Sequence, residues 1–227
     1  MRHLTWLVLL VLAACGDAPP AEAPGPEDAD PSAEKSDFPR PSTPWGPGTY
    51  ACARRASPIS MDGKLDDEAW KAAPQSALFR DIEGSSSPKP RFDTHVRMLW
   101  DDESLYIGAW MEEPHLQATF TKRDSYIFHQ DNDFEVFVDP DGDTHDYYEL
   151  EINALGTEWD LFLDKPYRDG GPAHDEFDFE GLETAVHLDG TLNDPSDEDR
   201  SWSLEIRIPW KAWLLYTSDA ADDSVYV

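Results

Sequence analysis

Three glutamates, Glu135 in one alternating run and Glu149 and Glu151 in the next, are the side chains in this chain best placed for chemistry. Positions two apart along a strand project from one face about 6.5–7 Å apart, so carboxylates here would line a common surface. Phe128, His129 and Tyr147 bring rings close to them in sequence, and Asn153 adds an amide. A face of carboxylates, amide and rings suits a polyhydroxylated ligand, whose polar edges need hydrogen-bonding partners and whose C–H face needs an apolar wall. It suits a cation equally. A second group, Asp139, Asp141 and Asp143 around Gly142, could converge hard oxygens on Ca²⁺, although the spacing lacks the distal bidentate glutamate of a full calcium loop. Asp131 and Asp133 are open to a different ion. Met98, Met111 and His129 are types that ligate haem, but core packing for the methionines and a surface position for the histidine account for them as well.

These residues depend on a hairpin. Phe134, Val136 and Val138 alternate with Glu135 and Phe137, the period-2 signature of a half-buried strand. Pro140 and Asp141-Gly142 supply a turn. Tyr148, Leu150 and Ile152 then alternate with Tyr147, Glu149, Glu151 and Asn153. Thr94 to Trp100 and Leu105 to Met111 form a second hairpin around Asp101-Asp102-Glu103. Trp159, Leu161 and Leu163 share a face of the next strand, Thr184 to Leu188 makes a short one, and Trp202 to Ile208 makes a last one. Asp66 is a suitable N-cap for a short helix that carries Trp70 inward. Pro114 to Phe128 and residues 164–181 read as long loops of the kind that carry binding residues. About eight or nine short strands with Asp-Gly turns predict an all-β fold, an antiparallel, jelly-roll-like β-sandwich with one short helix. No GxGxxG, P-loop, HExxH or CxxC pattern occurs, which leaves dinucleotide folds and structural zinc unsupported.

The composition narrows the partners. With 18 Lys and Arg against 47 Asp and Glu among 227 residues, the formal charge is −29. Nucleic acid is excluded, because phosphate contacts need basic surfaces. Attraction to anionic lipid is excluded on the same ground. Arg2 and His3 precede the apolar run Leu4 to Leu12, too short to span a bilayer as a mature helix. The run ends Leu12-Ala-Ala-Cys15-Gly16 and resembles a bacterial lipobox. That resemblance implies a lipoprotein signal peptide over 1–14, lipidation of Cys15, and a place in the cell envelope outside the cytoplasm, with membrane contact only through the N-terminal lipid. Residues 15–48, rich in Pro, Ala and acidic side chains, read as a disordered tether. The domain spans 49–213. Cys52 is then the one remaining cysteine, and it reads as a small buried apolar residue. Residues 214–227 break the alternation and read as translated adaptor sequence, so the native chain is expected to continue differently past Trp213.

Four segments occur in a telling order: Asp62-Gly-Lys-Leu-Asp-Asp-Glu-Ala-Trp70, Leu99-Trp-Asp-Asp-Glu-Ser-Leu-Tyr-Ile107, Asp131-Asn-Asp-Phe-Glu-Val-Phe-Val-Asp139 and Trp202-Ser-Leu-Glu-Ile-Arg-Ile-Pro-Trp210. Together they resemble carbohydrate-binding module family 9, in a stand-alone lipoprotein form. The resemblance implies a β-sandwich, loop-stabilising calcium, and sugar chain ends held between aromatic side chains. Glu135 matches the family carboxylate that accepts sugar hydroxyls, Phe128 or His129 falls where one ring wall stands, and Asn153 matches an amide position. Glu151 stands about where the family has a basic residue. The second aromatic wall lies toward the family's C-terminus. Non-catalytic carbohydrate binding in support of carbohydrate catabolism, with glycoside hydrolases as partners, is the expected function. The alternative is glycoside hydrolysis by Glu135, Glu149 and Glu151.

Overall fold

A computed structural model describes residues 9–11, 49–81 and 87–213. The strands, in chain order, are β1 (Leu9–Val11), β2 (Ala53–Arg54), β3 (Thr94–Trp100), β4 (Ser104–Glu112), β5 (Asp133–Asp139), β6 (Tyr147–Asn153), β7 (Glu158–Leu163), β8 (Ala173–His174), β9 (Glu183–Asp189) and β10 (Ser201–Pro209), with one short helix, α1 (Glu68–Ala72). They make two five-stranded sheets, ordered β1-β5-β6-β7-β8 and β2-β3-β4-β10-β9. Pairing is antiparallel except where the short β1 and β2 join in parallel at the edges. The expected all-β sandwich with one helix is the observed fold.

Alternation explains which side chains enter the core. Phe134, Val136 and Val138 of β5 and Tyr148, Leu150 and Ile152 of β6 are buried against Val96, Met98, Ile107, Ala109, Leu204 and Ile206 of the opposite sheet. Met98 and Met111 are both core residues, which accounts for them without haem. Cys52 is partly buried against the same core.

The second sheet carries its own cap. Gly108 on β4 leaves room for the Trp70 ring, since a Cβ there would lie 2.7 Å from Leu65 Cδ2 and 3.3 Å from the indole. Trp70 is fully buried, and its Nε1 donates to Glu205 Oε1 at 2.6 Å. Glu205, the cross-strand partner of Gly108, also accepts from the backbone N–H groups of Asp62 and Gly63 at 2.8 and 2.7 Å. The helix starts one residue later than expected: Asp67, not Asp66, is its N-cap, and its carboxylate accepts from the Ser60 N–H instead of capping the helix.

The apolar run expected as an export signal contributes β1, with Leu9 beside Phe137 and Val11 beside Asp139. An open sheet edge offers unpaired backbone groups to any extended apolar segment. Cys15, the expected tether and the expected non-native tail lie outside the described residues.

Candidate functional site

The outer face of β5, β6 and β7 carries the site. Register sets Glu135 opposite Glu151, Phe137 opposite Glu149, and Asp133 opposite Asn153. On the other side of β6, Glu151 faces Trp159 and Glu149 faces Leu161. All these side chains project away from the core, because each alternates with a core residue. The outer face is nonetheless covered. Glu135, Glu149 and Glu151 are only 3, 5 and 2 % exposed.

Two loops do the covering. A 3₁₀ turn at Ile127–His129 and the segment around a second at Tyr167–Asp169 wall in a cavity of about 490 Å³. Glu135, Glu149 and Glu151 form its floor, with Tyr126, Phe128, His129, Trp159 and Tyr167 as its rings. Phe128 stacks on Trp159 with ring centres 5.6 Å apart and planes 15° apart, and Tyr126 tilts against Trp159 at 4.8 Å. The Tyr167 hydroxyl donates to Glu149 Oε2 at 3.0 Å. Tyr126 and Tyr167 remain about half exposed at the rim. Among the described residues, no lysine or arginine lines the cavity.

Electrostatics follow from burial among like charges. Desolvation, reinforced by Asp133 and Glu149, pushes the Glu135 carboxyl up to about 9. Glu151 is pushed up to about 10 by burial and by Glu135, Asp133 and Glu149. Glu149 is also raised by burial, against hydrogen bonds from Tyr167 and with Glu151. Asp133, behind the floor, rises to about 7 by burial. A carboxyl desolvated without a counter-charge keeps its proton. Three buried polar atoms here have no hydrogen-bond partner: Glu151 Oε2, Asp133 Oδ2 and Trp159 Nε1.

Of the residues chosen from sequence, Glu135, Phe128 and His129 come together in this cavity. Tyr147 lies on the same face but beside it, packed near Phe137 and the Trp159 cluster. Asn153 is a correction. It is completely buried, its amide nitrogen donates to Phe120 O and Asp131 Oδ2, and its oxygen accepts from the N–H groups of Leu155 and Thr157. That amide is fully engaged in holding loops together and offers nothing to a ligand. Asp131 is corrected similarly: it accepts from the backbone N–H groups of Thr119 and Phe120, the Thr119 hydroxyl and Asn153 Nδ2. Tyr126, Trp159 and Tyr167 were missed as site residues. Trp159 had a legible signal, since it shares a face with Leu161 and Leu163 on the strand next to Glu151.

The Asp139–Asp143 turn gathers one oxygen from each of its three aspartates within 4.8 Å of the others. Asp139 is buried and accepts the N–H groups of Gly142 at 2.9 Å and Thr144 at 2.8 Å, while Asp141 and Asp143 are exposed. The donors are hard oxygens of the kind calcium takes, three of the six to eight it needs. Asp133, Glu135 and Glu151 form another close carboxylate group, at the cavity floor.

A β-sandwich with a ring-walled, carboxylate-floored cavity on one sheet face is the architecture of a saccharide-binding module. A family model described as carbohydrate family 9 binding domain-like matches residues 61–223, and the chain belongs to that family. It is 31% identical over 103 residues to endo-1,4-beta-xylanase A of Thermotoga neapolitana, covering 44% of this chain and 8% of the xylanase. The aligned part thus spans less than a tenth of that relative's length. Among solved structures it resembles a candidate carbohydrate-binding protein from Bacteroides uniformis, with a TM-score of 0.54, 16% identity, and 74% and 75% of the two chains covered. A family 9 module from Caldicellulosiruptor kristjanssonii in complex with cellotriose superposes at a TM-score of 0.45, with 20% identity over 70% of this chain and 65% of that one.

Proposed function

We propose that this chain is a non-catalytic module that holds a short saccharide, or the end of a longer one, in the cavity on β5–β7. The observation that carries this reading is the union of ring walls with polar groups lacking partners, above all the buried Trp159 Nε1 and Glu151 Oε2. A saccharide presents hydroxyl donors and acceptors at its edges and C–H groups on its faces, matching both. The same carboxyls argue against hydrolysis. A retaining pair needs an ionised nucleophile beside an acid, and burial holds both Glu135 and Glu151 protonated at neutral pH.

The reading extends to place. Cys15, once lipidated, tethers the module to the envelope, where it supports carbohydrate catabolism beside glycoside hydrolases. The family membership and the xylanase relative favour such partners. Calcium at Asp139, Asp141 and Asp143 would join the β5–β6 turn into one unit without touching the saccharide.

Calorimetric titration of the purified domain with oligosaccharides, with Glu135→Ala alongside, tests the binding reading. Saturable binding is expected, weakened about tenfold or more in the variant. Absence of binding to every saccharide by the folded protein removes it.

A further inference from the structure

We propose that the saccharide this cavity takes is positively charged: an amino sugar whose ammonium rests on Glu135, Glu149 and Glu151. This deepens the saccharide-binding reading and rests on it.

The chain shows how it buries a carboxylate for structure alone. Glu205, on the other sheet, is completely buried and has three N–H donors, from Trp70, Asp62 and Gly63. The cavity floor has no such set. Glu151 is 2 % exposed and its Oε2 has no partner, and Asp133 Oδ2 behind it has none either. Burying a carboxyl without its hydrogen bonds costs stability, so two neighbouring acids, each with a buried oxygen left this way, point to donors supplied from outside.

The missing donors have a definite chemistry. An ammonium carries three N–H donors, no acceptor and a positive charge. A sugar hydroxyl brings one donor, an acceptor and no charge. The charges that act on Glu135 and Glu151 are those of neighbouring acids, and among the described residues no lysine or arginine lines the cavity to compensate them. The walls complete the match, because Tyr126, Phe128, Trp159 and Tyr167 line the cavity and an aromatic face attracts a cation. A net charge of −29 draws such a ligand in from solution. A bare divalent ion fits less well. Asp133, Glu135 and Glu151 offer three close oxygens, short of the six to eight that calcium takes, and most of the other lining residues are aromatic.

Titration calorimetry on the full chain with the trisaccharide of glucosamine, its N-acetylated counterpart and cellotriose, at pH 7 in phosphate and in Tris, decides the matter. The amino trisaccharide is expected to bind about tenfold or more tighter than either neutral one. Its binding enthalpy should differ between the buffers, because protons leave the cavity carboxyls as the ammonium enters. Glu151→Gln, and independently Glu135→Gln, should shrink that preference to about threefold or less, with near-ultraviolet circular dichroism reporting that each variant is folded. Equal or tighter binding of cellotriose or the N-acetylated sugar overturns the charged ligand and leaves the saccharide site standing. Calcium chloride that binds in place of all three sugars, and is lost in Glu151→Gln, overturns it in favour of a metal site. If none of these sugars nor calcium binds the folded protein, the charged ligand is overturned, and the saccharide reading falls only if every other oligosaccharide fails as well.

Discussion

Glu135 and Glu151 face each other directly across the β5–β6 pair, both almost completely buried, with carboxylate oxygens within 4.8 Å. Like charges opposite one another on a sheet destabilise it, and burial multiplies the cost. The pair persists only because both carboxyls hold protons or because something positive joins them. Either way the hydrophobic alternation around them must carry the fold while they serve another purpose.

Glu151→Gln should therefore stabilise the unliganded protein while impairing the site. The amide keeps the shape, supplies N–H donors at every pH, and removes a group whose ionisation is opposed by burial and three neighbouring acids. At pH 8 the gain should be about 2 kcal/mol, read from urea unfolding. It should vanish near pH 4, where the glutamate is protonated in the folded and unfolded states alike. A variant that is less stable at pH 8 would show the carboxyl to be satisfied in a way its surroundings do not provide.

Stability of the whole domain should fall as pH rises from 5 to 8. A carboxyl raised by folding binds its proton more tightly folded than unfolded. Its contribution is complete below the unfolded value of 4.5 and is lost as pH climbs toward about 9 for Glu135 and about 10 for Glu151. Asp133 and Asp160, raised to about 7 and about 6, act in the same direction from 3.8 upward. Asp101 acts oppositely: backbone and Arg55 hydrogen bonds outweigh its burial and hold it down at about 2, so its contribution is lost only as pH drops below 3.8. Thermal melts should show Tm lower at pH 8 than at pH 5 by roughly 5–10 °C. A flat profile over that range would mean the floor carboxyls are ionised and compensated.

Asn153→Ala should unfold rather than disarm. Its four hydrogen bonds join the Phe120 loop, Asp131 and the β6–β7 turn. Removing them strands Asp131 and two backbone N–H groups in a buried place, at about 3 kcal/mol or more. Saccharide affinity of the fraction that remains folded should match the unsubstituted protein. Loss of affinity without loss of Tm would return Asn153 to the site.

What could be read from the sequence divides along physical lines. The sandwich was legible because period 2 is a local property: Phe134-Val136-Val138 and Tyr148-Leu150-Ile152 declare their inner face without any knowledge of the partner sheet. Glu135 was legible for the same reason, as the outward residue between two core residues. Asn153 misled because alternation gives a direction and not a fate; facing outward, it is covered by the Phe120 loop. Tyr126 and Tyr167 were invisible because they come from irregular segments whose approach to the sheet depends on contacts distant in sequence, such as Tyr167 with Glu149. The α1 cap was misplaced by one residue because Asp66 and Asp67 are chemically equivalent, and only the tertiary bond from the Ser60 N–H distinguishes them.

The rim rings offer the cleanest separation of function from fold. Tyr126 is 52% and Tyr167 51% exposed, so truncating either forfeits little buried area. Tyr126 tilts against Trp159 and reaches Asp175 with its hydroxyl at 3.3 Å, a weak, exposed bond. Tyr126→Ala should lower Tm by no more than about 3 °C. It should weaken saccharide binding about fivefold to thirtyfold, since a ring stacked on a ligand contributes on the order of 1–2 kcal/mol. Tyr167→Phe keeps the ring and deletes only the donor to Glu149, so it should weaken binding less than Tyr167→Ala does. Circular dichroism melts and calorimetric titration of the three variants side by side measure both quantities. If Tyr126→Ala binds as tightly as the parent, the saccharide does not pass over this rim, and the ligand must enter from the Ala173 side of the cavity instead.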